Sequence, residues 1–523
     1  MIAIVPKPVE LAVLDGAFAL SAATPVRFDS ASDASRLAAA RLVEWLARDP
    51  GVRLGPPSAA APSAGGSSPA IRFVSASDAP GADRPEGYRL TVAPDGVRVE
   101  ARERAGFLNA VQTLRQLVPE SPPAADGWSL PAVRIADWPR FGWRGLMLDV
   151  GRHFFPVSDI LRLVDAMAFH KYNVFHWHLT EDQGWRAEVR AHPRLTGVGA
   201  WRRETIAGHA RQSQTYDGRP HGGFYTQDDL RAVVAHAAAR GITVMPEIEM
   251  PGHSQAALAA YPELSCTGGP FEVSRTFGVH KEVYCAGNDG ALALQRDVLE
   301  EMLAIFPSAY IHIGGDECPK ERWKACPKCQ ARIRAEGLRD EHGLQSWFVR
   351  QMDAFLQARG RRLVGWDEIL EGGLAPGAVV MSWRGEDGGI AAARAGHDVV
   401  MATNKKVYFD YYQSADRERE PLAIGGLCTL ETVYGYEPVP AALDAGAAAH
   451  VLGAQGQLWT EYMADWPYVE YMAFPRACAL AEVLWSPAAG RDFAAFRQRL
   501  DAHLRRLARM GVNYRRPDVT AAS

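Results

Sequence analysis

The hexapeptide His312-Ile-Gly-Gly-Asp316-Glu317 concentrates more chemistry than any other stretch of the chain. Neighbouring side chains on a strand point to opposite faces, but two glycines let the backbone turn sharply enough to deliver both following carboxylates to one place. Taken alone, an acidic pair after Gly-Gly also reads as a helix N-terminus, where the helix dipole favours negative charge. The choice depends on what else the fold brings to the same level.

Eight short apolar runs alternate with amphipathic helical stretches after Trp138: residues 145–150, 174–179, 242–247, 309–314, 362–366, 379–383, 398–403 and 450–455. Continuous apolar strands separated by helices imply a parallel sheet covered on both faces, and eight of them predict a closed (β/α)8 TIM-type barrel. Helix punctuation agrees. Thr226 and Asp229 make a capping-box pattern, Arg240-Gly241 closes that helix, and Arg359-Gly360 closes the helix over 344–358 just before a strand. Asp149 and Arg152 stand at the C-terminal end of the first run, His178, Glu181 and Asp182 at that of the second, Glu247, Glu249 and His253 at that of the third. Asp316 and Glu317 stand at the end of the fourth, Trp366 and Asp367 at that of the fifth, Trp383 at that of the sixth, and Trp459 and Glu461 after the eighth. Barrel enzymes build their sites at this C-terminal face from several strands. Three tryptophans, an arginine and a set of carboxylates gathered there describe a sugar site, because aromatic faces accept the C–H face of a pyranose and charged groups grip its hydroxyls. His176 and His178 are expected to be buried and hydrogen-bonded, and Trp177, Trp185 and Trp201 to pack in the core or loops.

Most retaining and inverting glycosidases set two carboxyls on opposite sides of the sugar, roughly 5 to 9 Å apart. Asp316 and Glu317 are sequence neighbours and badly placed for that arrangement. Only one of them is therefore expected to transfer protons, with the nucleophile coming from elsewhere. A 2-acetamido group on the substrate can supply it, as in the substrate-assisted families that are exceptions to the two-carboxylate rule.

The segments Asp149-Val-Gly-Arg-His-Phe-Phe155, Lys171 through Arg186, Pro246-Glu-Ile-Glu-Met-Pro-Gly-His253, His312 through Glu317, Gly365-Trp-Asp-Glu368, Ser382-Trp383, Tyr408-Phe-Asp410 and Leu458-Trp-Thr-Glu461 resemble, in order, those of family 20 glycoside hydrolases, the β-N-acetylhexosaminidases. The resemblance spans about residues 140–485. It implies Glu317 as general acid and then base, and Asp316 as the carboxylate that holds the acetamide N–H. It further implies Tyr408 as donor to the acetamide oxygen, Trp366, Trp383 and Trp459 as a box around its methyl, and Arg152, Asp410 and Glu461 on the distal hydroxyls. Asp182, Glu249, His253 and His312 would stand behind the pair. One departure is Glu249, where many relatives carry Asp. The substrate implied is a glycan ending in a β-linked N-acetylated amino sugar. Release of a disaccharide, as in lacto-N-biosidases, is an alternative. So, in other classes, are a non-catalytic carbohydrate-binding barrel and a metal-dependent barrel hydrolase using His178, His253 and His312.

Residues 1–135 read as a smaller α/β accessory domain ahead of a barrel domain over 136–515. A hairpin is expected at Tyr88–Val92 and Val97–Ala101 around Pro94-Asp95-Gly96, then a helix with Phe107, Ala110, Val111, Leu114 and Leu117 on one face, stopping before Pro119. Residues 55–69 read as a surface loop and 119–131 as a linker, both rich in small residues and proline. At 523 residues, with 57 Lys and Arg against 61 Asp and Glu, no charge run predicts a nucleic-acid or anionic-membrane partner. The first residues carry no secretory pattern, so the protein is expected to be cytoplasmic, or exported with its signal outside this sequence. Oligomeric state is open. No cofactor or metal is expected. The seven cysteines include Cys326-Pro-Lys-Cys329 with Cys318 upstream, but zinc needs a fourth ligand and a redox pair needs a thioredoxin-like context. Neither is visible, and a locally packed or disulfide-linked loop is the expectation.

Overall fold

Runs of valine, leucine and methionine with no polar alternation form strands buried on both faces. In the computed structural model, which describes residues 2–60, 69–77, 81, 83–119 and 127–517, eight such strands close into a parallel barrel. In chain order they are Trp143–Asp149, Val174–His178, Thr243–Glu247, Tyr310–His312, Arg362–Trp366, Val379–Ser382, Val399–Met401 and Val451–Leu458. Each falls on one of the eight expected runs, the last extending further to deliver Trp459. The first, second, sixth and seventh strands are buried at every residue. The capping box at Thr226 and Asp229 is present, and Gly241 and Gly360 take left-handed conformations just past their helices.

The chain divides into two compact units. One comprises Gly145–Val164 and Asn173–Ala473 and holds most of the barrel and all the residues of the candidate site. The other comprises Met1–Arg144, Asp165–Tyr172 and Phe474–Ser523. This second unit has a seven-stranded mixed sheet, ordered Glu10–Leu20, Trp128–Asp137, Tyr88–Ala93, Gly96–Ala101, Ile71–Ser75, Val26–Phe28, Ser58–Ala59, with helices Asp33–Arg48 and Arg104–Leu117 packed on it. The expected hairpin and helix are both there, and Phe107, Ala110, Val111, Leu114 and Leu117 are buried. Lys171 is fully buried in this unit, its Nζ 2.8 Å from Asp137, which also accepts from Tyr88 (2.6 Å) and Trp485 (2.8 Å).

Residues 61–68 of the expected loop and 120–126 of the expected linker lie outside the described residues. The end of that linker is a strand instead: Trp128–Asp137 begins before Pro131 and buries Leu130, Ala132, Val133 and Ile135. Pro131 fits because pairing with Tyr88–Ala93 covers only Val133–Asp137, so its missing N–H removes no bond on that side. Among the described residues, no helix is long and apolar enough to cross a membrane.

Candidate active site

Strand register sets the floor of the site. Asp149 is level with His178, His178 with Glu247, and Glu247 with His312, so four successive strands bring polar side chains to one height. Glu247 takes the centre. It lies 2.5 Å from His178, 2.8 Å from His176 and 2.8 Å from His312, and it accepts the Trp366 indole N–H at 2.9 Å. Burial would raise its pKa, but the imidazoles of His178, His312 and His176 hold the carboxyl well below its usual range. The two histidines of the second strand are thus buried ligands of a carboxylate, as expected, and His312 sits one layer beneath the cavity. Trp177 and Trp185 are core residues, whereas Trp201 is 52% exposed and does not line the cavity.

The rim residues are each fixed by a neighbouring strand end. Asp149 accepts the N–H groups of Gly151 (2.8 Å) and Arg152 (3.1 Å), turning the chain so that the guanidinium reaches Glu181 at 2.7 Å and Asp149 at 3.2 Å. Burial opposes that charge, yet Glu181, Asp149 and Glu461 keep Arg152 firmly cationic. Its buried Nε has no hydrogen-bond partner. Thr460 N–H donates to Asp149 at 3.1 Å, which ties the eighth strand to the first and sets Trp459 under Arg152, 5.0 Å from the guanidinium carbon to the ring centroid. Asp367 accepts the Trp383 N–H at 3.2 Å, and Glu368 accepts its indole N–H at 2.9 Å. The Trp383 ring stacks on Tyr408 at 6.1 Å and 19°. Burial raises the Tyr408 phenol well above its usual pKa, so it stays a donor.

Between these groups stand the two adjacent carboxylates. Gly314, Gly315 and Glu317 all have positive φ, 69°, 90° and 39°, which breaks the strand alternation and turns both acids inward. Gly314 also has no room for a side chain: a Cβ there would lie 1.7 Å from Glu249 Oε2. His253, itself at φ 45°, faces four carboxylates, with Nδ1 3.1 Å from Asp182 and 3.2 Å from Glu181, and Nε2 3.6 Å from Asp316 and 3.5 Å from Glu317. Burial opposes its charge, but Glu181 and Asp316 raise it well above the ordinary imidazole value. Asp182 is locked by the Gln255 N–H at 2.8 Å. Burial lifts Asp316 to about 7 against the pull of His253. Burial would lift Glu317 too, but its side chain is 39% exposed and a hydrogen bond from His253 holds it below the ordinary value. Burial, with Asp316 and Glu247 nearby, pushes Glu249 well up, and neither of its oxygens has a hydrogen-bond partner. The Glu249 carboxyl occupies the space Gly314 leaves.

Arg152, Asp316, Glu317, Trp366, Trp383, Tyr408, Asp410, Trp459 and Glu461 all line one cavity of about 430 Å³, within the size range of small-molecule sites. Asp182, Glu249, His253 and His312 stand behind that lining. The histidines proposed for a metal-dependent alternative separate, His178 and His312 turning to Glu247 and His253 to Glu181 and Asp182. The cavity also takes Arg211, which lies in the long polar excursion over 208–223 that the sequence places on the leaving-group side, and Tyr411, Ile424, Gly425 and Gly426, which sequence reasoning missed. These four sit in loops without periodicity, and nothing in their local sequence marks them. Glu368 was visible only as part of the Gly365-Trp-Asp-Glu segment. Its role as the acceptor of Trp383 comes from the fold. Away from the cavity, Cys326 and Cys329 are joined by Cys266 and Cys285 rather than by Cys318, and no disulfide links them, so of the two expected forms, a locally packed or a disulfide-linked loop, the packed one is what forms.

The sequence matches the family description "Glycosyl hydrolase family 20, catalytic domain" over residues 141–488 and "Glycosyl hydrolase family 20, domain 2" over residues 1–138. A β-hexosaminidase of Porphyromonas gingivalis is 50% identical over 437 residues, 83% of this chain and 55% of that protein. A β-N-acetylhexosaminidase of Cellulomonas fimi is 34% identical, covering 98% of this chain and 96% of the other. Among solved structures, the exo β-N-acetylglucosaminidase of Vibrio harveyi in complex with N-acetylglucosamine superposes with a TM-score of 0.86 at 34% identity, over 98% of this chain and 78% of that one. With the barrel, its rim of acids and tryptophans and a family match across most of its length, the chain belongs to glycosyl hydrolase family 20.

Proposed function

We propose that this chain is an exo-acting, retaining β-N-acetylhexosaminidase that removes terminal β-linked GlcNAc or GalNAc by substrate-assisted catalysis. The observation that carries the reading is the side-by-side placement of Asp316 and Glu317 on one cation, His253, at the edge of a tryptophan-lined cavity. Two acids on one side of a sugar cannot serve as an opposed acid and nucleophile. The acetamide carbonyl oxygen of the bound sugar attacks C1 as the C1–O bond to the leaving group breaks, and Glu317 gives its proton to the departing oxygen. Asp316 accepts the acetamide N–H and offsets the charge of the oxazolinium, while Tyr408 donates to the acetamide oxygen. Water then attacks C1, returns a proton to Glu317 and reopens the ring with net retention. Trp366, Trp383 and Trp459 enclose the methyl, and Arg152, Asp410 and Glu461 hold the distal hydroxyls. Relatives named β-hexosaminidase, and the N-acetylglucosamine bound in the Vibrio harveyi structure, support the substrate class.

An oriented internal nucleophile supplies on the order of 7–11 kcal/mol, so gripping the acetamide matters as much as protonating the leaving group. The test is a panel of p-nitrophenyl β-glycosides with and without the 2-acetamido group, run with a thiazoline analogue as inhibitor. Hydrolysis confined to acetamido sugars with strong thiazoline inhibition is expected. Equal cleavage of plain glucosides, or a trapped glycosyl ester on a protein side chain, would overturn the mechanism.

A further inference from the structure

Four of the seven cysteines converge from three separate pieces of chain. Cys266 follows a short 3-10 turn, Pro262–Leu264. Cys285 lies across from it, where Ser265 bridges Tyr284 and the Cys285 N–H donates to Leu264 at 2.9 Å. Cys326 caps the helix Pro327–Ala335, and Cys329 is in its first turn. The sulfurs all lie within 4.8 Å of one another, with Cys285 3.6 Å from Cys329 and 3.7 Å from Cys326, and Cys266 3.8 Å from Cys329. Three of the four are buried and Cys266 is half-buried.

The backbone is built to bring them together. At Gly287 a Cβ would lie 2.2 Å from the Lys328 carbonyl carbon and 2.4 Å from the Cys329 nitrogen, so two residues beyond Cys285 the chain rests directly on the helix start. The Trp323 indole donates to the Tyr284 carbonyl at 2.9 Å, clamping the same two segments from the other side.

We propose that Cys266, Cys285, Cys326 and Cys329 form a structural zinc site. Four thiolates around one ion at about 2.3 Å make a tetrahedron with edges of about 3.8 Å, which matches the observed spacing. A disulfide would need about 2.05 Å. A closed four-sulfur set leaves no open position for a substrate or water, so the ion acts by joining chain segments. One is the 266–285 loop, whose Ser274 N–H donates to the Asp182 carbonyl at 2.9 Å. The other is the segment that leaves the barrel at Glu317 and reaches the cysteines nine residues later. The zinc therefore ties together two stretches that border the acid pair and its His253–Asp182 support.

The test begins with the intact chain, produced with zinc in the medium and purified without chelator. Elemental analysis is expected to give about one zinc per chain, released to a colorimetric chelator only after denaturation or thiol modification. Reconstitution with Co(II) should give the intense visible bands of a tetrahedral thiolate complex. Cys266→Ser, at the half-buried position, should lose the metal and melt at a lower temperature with its circular dichroism retained. Metal-free protein with four alkylatable thiols and no Co(II) bands would overturn the proposal. So would disulfides detected by mass before reduction, or iron in place of zinc.

Discussion

His253→Asn tests the electrostatics of the acid pair directly. Asparagine tolerates the left-handed backbone at this position and carries no charge. In the free protein the pair holds one proton between the lowered pKa of Glu317 and the value of about 7 for Asp316. The proposed reaction needs that one proton, on Glu317 at the moment of bond breaking. Substrate moves it there, because the acetamide N–H favours ionised Asp316 while the sugar takes water away from Glu317. The free-enzyme profile of kcat/KM should therefore be a bell, losing activity below the Glu317 pKa as a second proton arrives and above about pH 7 as the last one leaves. His253 lowers both carboxyl pKa values, so neutralising it must raise both and move the whole bell toward alkaline pH. The Nε2–Asp316 distance of 3.6 Å gives about 4.6 kcal/mol at an effective dielectric of ~20. If water entering the vacated space leaves only about a third of that, both limbs still rise by about one pH unit, since 1.36 kcal/mol corresponds to one pKa unit. The assay is kcat/KM on p-nitrophenyl N-acetyl-β-glucosaminide across pH 4 to 10 in constant ionic strength. Limbs within about 0.3 pH units of the parent, with the fold intact, would refute the charge role assigned to His253.

Three further expectations follow from the same geometry. Asp316→Asn and Glu317→Gln should each lower kcat on aryl N-acetylglucosaminides by roughly 10²- to 10⁴-fold with unchanged circular dichroism, and turnover within a few-fold of the parent in either would remove that residue from the chemistry. Gly314→Ala puts a methyl on the Glu249 carboxyl at a φ of 69°, so it should cost about 1–2 kcal/mol from backbone strain alone and, by shifting both acids, about 10²-fold in rate, read as melting temperature and kcat. Glu249→Gln should match the parent in stability at low pH and exceed it at high pH. The raised pKa of Glu249 makes its contribution complete below the unfolded carboxyl value and lost as pH climbs through the folded one, which denaturant midpoints at several pH values will measure.

The barrel was legible because fully buried parallel strands leave continuous apolar runs, and Trp366, Trp383, Trp459 and Asp316 stand where those runs stop. The partners that tune the site were less legible. Glu247 reads as one more polar residue at a strand end, and only register shows that His178 and His312 sit level with it on either side. Ile424, Gly425 and Gly426 reach the cavity through loop geometry that no periodicity encodes. The cysteines show the limit most plainly. Cys326 and Cys329 advertise themselves by spacing, but their companions are 41 and 63 residues upstream of them, while nearby Cys318 belongs elsewhere.

The adjacency of Asp316 and Glu317 connects these levels. A regular strand would send the two side chains to opposite faces, one into the barrel and one toward a helix. Putting both at the cavity requires left-handed backbone at three of four successive residues, and Glu317 takes that conformation without being glycine. Such strain persists only where surrounding contacts over-determine it. Here the contacts are the Glu249 carboxyl seated over Gly314, the His253 ring against both acids, and the Gln345 side chain donating to the Gly315 carbonyl at 2.6 Å. Glu249 and His253 leave the third strand, Gly314 to Glu317 leave the fourth, and Gln345 is on the helix that leads to the fifth. The pair is therefore held by three consecutive units of the barrel, so the turn keeps its shape only when those units are assembled together.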